Sequence, residues 1–222
     1  MLSVQGNGVI ITKEISVSSF LQLHLSVNQR IELHHSEEEK VVIEVDENLQ
    51  DFVDVSNSGR TLYVSTDTGI LKKAIFTTCK VKVYFRQLHV LSIANEGSDF
   101  DCKEVLDIPN EIEINIQSVG NTSLCINAPA IKLVSKCVGD VRLEGKCGLL
   151  DIKSHSVGKL HAREMIAEDV VIRNKSVGDV DLFAGKTISI SHSGVGNIFY
   201  YGSALLKDIK KNWSGLVQHK EG

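Results

Sequence analysis

The chain has 222 residues, enough for one elongated domain or two small ones, and carries a formal net charge of −4. Its residues are 42% hydrophobic but only 5% aromatic, with two prolines, which suits thin β layers filled by Ile, Val and Leu and argues against a linker-rich or disordered build. This balance gives no electrostatic case for a nucleic-acid partner, and no apolar run approaches the roughly 18 residues of a transmembrane segment.

In chain order, Gly6-Asn7-Gly8 predicts a turn, followed by a strand over Val9–Val17. Leu21, Leu23, Leu25 and Val27 alternate with polar residues, Ile31 and Leu33 resume after Asn28-Gln29, and Val41, Ile43 and Val45 form the next strand. Asp46–Val53 is the one helical turn expected, with Leu49, Phe52 and Val53 at helical spacing. Ser56-Asn57-Ser58-Gly59 turns into a strand at Leu62, Thr66–Thr77 reads as a loop, and alternation returns from Val81 to Ile93.

From Glu111 to Tyr201 a short phrase recurs, centred on Gly120, Gly139, Gly158, Gly178 and Gly196, which lie 19, 19, 20 and 18 residues apart. A period near 20 signals a solenoid. Eight and six residues before each glycine the side chain is aliphatic, one before it is always Val, and the positions two and four after it are mostly apolar. The steps of two are the strand period, so each repeat is read as two short strands meeting at a glycine corner, with five inward side chains. Such a unit cannot bury its apolar face alone and must stack on its neighbours. The expected fold is all-β: a right-handed parallel β-helix with coils of about 18–20 residues over 88–202, a continuous β-rich part over 1–87, and a C-terminal strand and cap over 203–222. Asn95-Glu96-Gly97 reads as a degenerate first copy, and Trp213 as docking on the last coil. Each corner glycine is expected to need either a positive φ or room beside the adjacent coil. The polar column two residues before it (Ser118, Cys137, Ser156, Ser176) suits small groups that bond along the stack.

Gly6-Asn7-Gly8, Phe20-Leu21-x-Leu23, Asp46-Glu47-Asn48-Leu49 and the later glycine-centred coils resemble the head GIN domain family of auto-transporter adhesins. The resemblance covers nearly the whole chain. It implies a β-helix-like fold, a setting in the cell envelope or outside the cell of Bacteroidetes-type bacteria, and no catalytic residues to carry over. The chain departs from the family in showing no basic, apolar leader after Met1 and in having five cysteines. A native start at Met1 would instead place it in the cytoplasm. Cys79, Cys102, Cys125, Cys137 and Cys147 form no Cys-x-x-Cys pair, so no zinc or redox motif is indicated. Cys102 and Cys125 each fall five residues after a glycine, yet free thiols are expected throughout.

The outward positions after the glycines form a ladder: Asn121, Asp140, Lys159, Asp179 and Asn197 in one column, with Arg142, His161, Asp181 and Phe199 beside it. These nine residues are the expected ligand-binding set, for a surface glycan or a protein. A polysaccharide lyase or hydrolase built on Asp140, Asp179 and Asp181 is one alternative, because paired carboxylates can serve as acid and base. A module that stacks on its own kind is the other. Cations between these carboxylates favour their ionised forms, against the protonated acid that hydrolysis requires, so a non-enzymatic protein is expected. His24, His34 and His35 do not read as a metal site, because adjacent strand residues point to opposite faces. No cofactor is expected.

Overall fold

The computed structural model describes residues 2–27, 29–66, 72–95, 97, 99–212 and 215–221. Nine strands make up the first part: β1 (Leu2–Gln5), β2 (Ile10–Ser16), β3 (Gln22–Ser26), β4 (Arg30–His35), β5 (Lys40–Asp46), β6 (Val53–Ser58), β7 (Thr61–Thr66), β8 (Lys72–Ile75) and β9 (Cys79–Phe85). Ten more follow: β10 (Val90–Asn95), β11 (Phe100–Asp107), β12 (Ile112–Ser118), β13 (Thr122–Ser135), β14 (Val141–Ser154), β15 (Leu160–Asn174), β16 (Val180–His192), β17 (Ile198–Tyr201), β18 (Leu205–Lys211) and β19 (Val217–His219). The expected helical turn is a 3-10 turn over Glu47–Phe52 with Leu49 buried.

The protein is nearly all β, with parallel strands stacked into a β-solenoid of about 7 turns. One sheet runs through it in the order β19-β17-β16-β15-β14-β13-β12-β10-β3-β7-β6, so β3 and β7 of the first part pair in parallel beneath the glycine-centred coils. A separate four-stranded sheet, β2-β5-β9-β4, packs its apolar face into the same core. Two local readings change. Val53–Ser58 is a strand, antiparallel to β7 across the Gly59 turn. Within the expected loop at Thr66–Thr77, β8 pairs with β1; both are short, and neither carries a period long enough to read.

Each of β13 to β16 runs through bends that the strand period alone does not display. In β14 the buried positions are Val141, Leu143, Cys147, Leu150, Ile152 and Ser154; the parity changes after Cys147, and Gly145 takes φ +117°. Residues step in register from coil to coil, as in Leu133↔Ile152 and Ile152↔Ile172, which builds aliphatic columns inside.

The corner differs from the expectation in one respect. The valines before the glycines are not inward: Val119, Val138, Val157, Val177 and Val195 are 55–65% exposed and form an apolar ridge along the corner. The turn breaks the strand alternation, so the interior is filled instead by the residues two and four before each glycine. Many of these are polar. Ser135, Ser154, Ser156, Asn174, Ser176 and His192 are all buried. They bond along the stack, as the small-hydroxyl column suggests: Cys137 N–H donates to Ser156 Oγ (3.1 Å), Ser156 N–H to Ser176 Oγ (2.9 Å), and the hydroxyls of Ser135 and Ser156 meet at 2.8 Å. Burial of these serines is tolerated because they are satisfied in this way, whereas His192 Nε2 is buried without a hydrogen-bond partner among the described residues.

The glycine column is explained by crowding, not by φ. A Cβ on Gly158 would stand 2.2 Å from the Gly139 carbonyl oxygen, and one on Gly178 would stand 2.2 Å from that of Gly158. Neither glycine has a positive φ. Asn95 pairs with Ser118, which brings Gly97 to the level of Gly120; Glu96 and Trp213 lie outside the described residues.

All five cysteines are free thiols. Cys102 pairs in register with Leu124, not Cys125, and is buried, whereas Cys125 is partly exposed, so the two point to opposite sides of the coil wall. Burial raises the Cys79 and Cys147 thiols to about 12 and Cys102 to about 11.

Candidate functional site

The column that follows the glycines proves to be part of the scaffold. Asn121 N–H donates to Asp99 Oδ1 (2.7 Å), Asp140 N–H to Asn121 Oδ1 (2.9 Å), and Lys159 N–H to Asp140 Oδ1 (2.7 Å). Farther along, Asn197 N–H donates to Asp179 Oδ1 (2.8 Å) and Leu216 N–H to Asn197 Oδ1 (2.9 Å). Each Asx side chain thus accepts the orphan backbone donor of the next turn. Lys159 has no acceptor atom, so the run is interrupted there. Asp140, Asp179, Asn121 and Asn197 therefore each commit one oxygen to the fold.

The neighbouring column does converge. His161 lies between Asp140 (Nε2–Oδ2 3.6 Å) and Asp181 (Nδ1–Oδ2 3.9 Å), contacts longer than hydrogen bonds. Arg142 reaches Glu144 and, at 2.9 Å, Glu164; both carboxylates stabilise its charge. Phe199 lies beneath Lys220, whose Nζ is 3.6 Å from the ring centroid.

Residues outside that set complete the site. Between Gly158 and Gly178 the spacing is 20, and the extra length emerges as a bulge. Pairing passes from Ala162↔Leu182 to Ile166↔Phe183, leaving Arg163, Glu164 and Met165 without partners in β16. Met165 turns into the core, while Arg163 and Glu164 project outward. The Arg163 guanidinium stacks over Tyr201 at 4.1 Å from the ring centroid. Tyr200 points inward and stacks on His219, with centroids 4.9 Å apart.

Arg142, His161, Arg163, Glu164, Asp181 and Tyr201 line a cleft of about 230 Å³. Past the Arg163–Tyr201 pair it opens into a groove of about 840 Å³ reaching Phe183, His219 and Lys220. The arrangement presents cations held in place by rings, carboxylate acceptors, and apolar walls at Ile166 and Phe183. That set can hold a ligand rich in hydroxyls, which needs donors and acceptors on one surface. The sequence signal for the bulge was the step in glycine spacing from 20 to 18, and Tyr201 could be matched to Arg163 only across two coils. Among the described residues no cluster of three His, Cys, Asp or Glu is placed to hold a metal ion, and no helix is long and apolar enough to cross a membrane.

The model of the family described as "Putative auto-transporter adhesin, head GIN domain" matches residues 19–204. A solved Bacteroides fragilis structure, described as a putative adhesin, superposes with a TM-score of 0.87 at 25% identity, covering 98% of this chain and 100% of the other. A putative adhesin from Parabacteroides distasonis gives a TM-score of 0.72 at 18% identity, covering 99% and 100%. A protein from the same species described as a putative lipid binding protein gives 0.73 at 17%, covering 97% and 99%. The last two likenesses concern the fold alone. No functionally curated protein matches the sequence.

Proposed function

Because the chain belongs to the auto-transporter adhesin head GIN domain family, we propose that it is a non-enzymatic cell-surface protein that binds a surface glycan through the cleft around Arg163. The observation that carries the reading is the bulge, which lifts Arg163 and Glu164 out of the β15–β16 pairing and seats Arg163 on Tyr201. A guanidinium fixed on a ring loses little further freedom when it binds, and Glu164 and Asp181 supply acceptors for hydroxyls beside it. The surface setting rests on the family, and the binding residues on the cleft geometry.

Catalysis is disfavoured by the same geometry. Glu164 is held by Arg142 at 2.9 Å, and Asp140 and Asp179 each accept a backbone N–H, so the candidate carboxylates are kept as acceptors and do not converge as an acid and a base.

The test is a glycan array followed by titration calorimetry on the best ligand, for the parent chain and the Arg163→Ala, Glu164→Ala double variant. Both side chains are exposed, so the variant is expected to melt with the parent. Binding weakened about tenfold or more supports the cleft. Undiminished binding would move the site elsewhere, and turnover of the ligand by the parent would replace the adhesin reading with an enzyme.

A further inference from the structure

A second surface lies on the stretch that precedes each glycine, around the corner from the cleft. Counting back from the glycines, Lys136, His155 and Lys175 stack in one outward column, three positions before the corner. Lys153 and Arg173 pair in the adjacent column, five positions before it. All five are exposed, and together with the wall of the coils they border a groove of about 300 Å³. Arg173 is tied to Asp151 at 2.6 Å, but among the described residues Lys136, Lys153 and Lys175 carry no ion pair.

Lys153 and Arg173 are cations on adjacent strands ~4.8 Å apart, with Lys136 and Lys175 beside them, and a face that was merely solvated would alternate its charges. The next column, seven before the glycine, does so: Glu113, Lys132 and Asp151 follow one another in register, with Lys132 hydrogen-bonded to Glu113. In a chain of net charge −4, the unalternated cluster is the exception. We propose that this face binds a linear acidic polysaccharide, carboxylated or sulfated, laid along the solenoid axis so that successive anions meet successive coils.

Three observations select that occupant. Amides and hydroxyls flank the basic cluster, Gln117 and, beyond Val134, Asn115 at one end and Ser191 and Ser193 at the other, which are partners for sugar hydroxyls. The lining of the groove has no Phe, Tyr or Trp side chain on which nucleic-acid bases would stack. An anionic membrane would have to meet the corner itself, where the exposed valine ridge is flanked on its far side by Asp140 and Asp179. A polymer confined to the face avoids those carboxylates.

The experiment measures binding of heparin oligosaccharides and of polygalacturonate by the full chain, with neutral dextran, phosphatidylserine vesicles and a single-stranded oligonucleotide as comparisons. We expect binding to the two acidic glycans that falls tenfold or more between about 50 and about 200 mM salt, and no binding to dextran. The Lys153→Gln, Lys175→Gln double variant should weaken it at least tenfold with an unchanged melting temperature. The Arg163→Ala, Glu164→Ala variant should leave it intact, so failure here and failure of the cleft are separable. Acidic-glycan binding that survives the lysine variant, or is lost in the cleft variant, overturns the proposal. So does an absence of acidic-glycan binding at low salt, or equal or tighter binding of vesicles or the oligonucleotide.

Discussion

Asp46 shows how much of the first part depends on one side chain. It is fully buried and accepts backbone N–H groups from Gly8 (3.0 Å), Thr77 (2.8 Å) and Thr78 (3.1 Å), with the Thr77 hydroxyl as a fourth donor. Burial alone would raise its carboxyl, but the donors from Thr77, Thr78 and Gly8 outweigh burial and bring it down from 3.8 to about 2. Asn48 completes the clamp, accepting from Asn7 N–H at 2.9 Å and donating to the Gln5 carbonyl at 2.8 Å. Two of the three N-terminal phrases of the family resemblance, Gly6-Asn7-Gly8 and Asp46-Glu47-Asn48-Leu49, therefore hold each other. Because the folded pKa is depressed, the stabilisation is complete above the unfolded value and disappears as pH falls from about 4 toward 2. Asp46→Ala should cost about 3 kcal/mol or more, since it strands several buried donors. Urea titrations should show the parent midpoint dropping across that pH window. The variant should start lower at pH 6 and change less; an equal drop in both would assign the acid sensitivity to other groups.

At the scale of the coil, corner glycine and aliphatic columns answer to one constraint, the ~4.8 Å distance to the next strand. Gly158→Val puts a branched side chain where even a Cβ lies 2.2 Å from a backbone oxygen, and backbone cannot swing aside as a flexible side chain can. We expect a loss of about 1–3 kcal/mol or more by chemical denaturation. Val157→Ser, one residue away on the exposed ridge, should move the midpoint by no more than about 0.5 kcal/mol. Equal effects of the two substitutions would contradict the assignment of the column.

At the scale of the whole molecule the two ends of the solenoid differ in how their apolar residues are covered. At the first end the 3-10 turn and the β6–β7 hairpin close the core, with Leu49 and Val53 buried. At the other, β18 pairs with β16 on one side, and Leu205, Leu206 and Ile209 stand exposed. Solenoid stability is a sum over neighbouring contacts, so protection should be graded. Hydrogen exchange is expected to be slowest in β14 and β15 and fastest in β18 and β19. Uniform protection along the axis would mean that the coils open as a single unit.

The sequence by itself determined the solenoid, because a 19-residue coil must repeat its small and aliphatic residues wherever it meets its own kind: Gly139, Gly158 and Gly178 are legible as a column without coordinates. The columns of Lys136, His155 and Lys175 and of Lys153 and Arg173 were equally countable from those glycines, although charge on a strand face does not by itself distinguish a site from solvated surface. The Asx ladder was visible as a column, but its role was not, since whether Asp140 offers an oxygen to a ligand or to Lys159 N–H depends on the turn above it. Tertiary structure alone decided the rest. A corner breaks the period of two, so only the fold could place the valines outside and Ser154 and Asn174 inside. A bulge changes which residues face each other, so only inter-coil pairing could bring Arg163 onto Tyr201. The Asp46 clamp joins positions 38 and 31 residues apart, a distance over which no local pattern carries information.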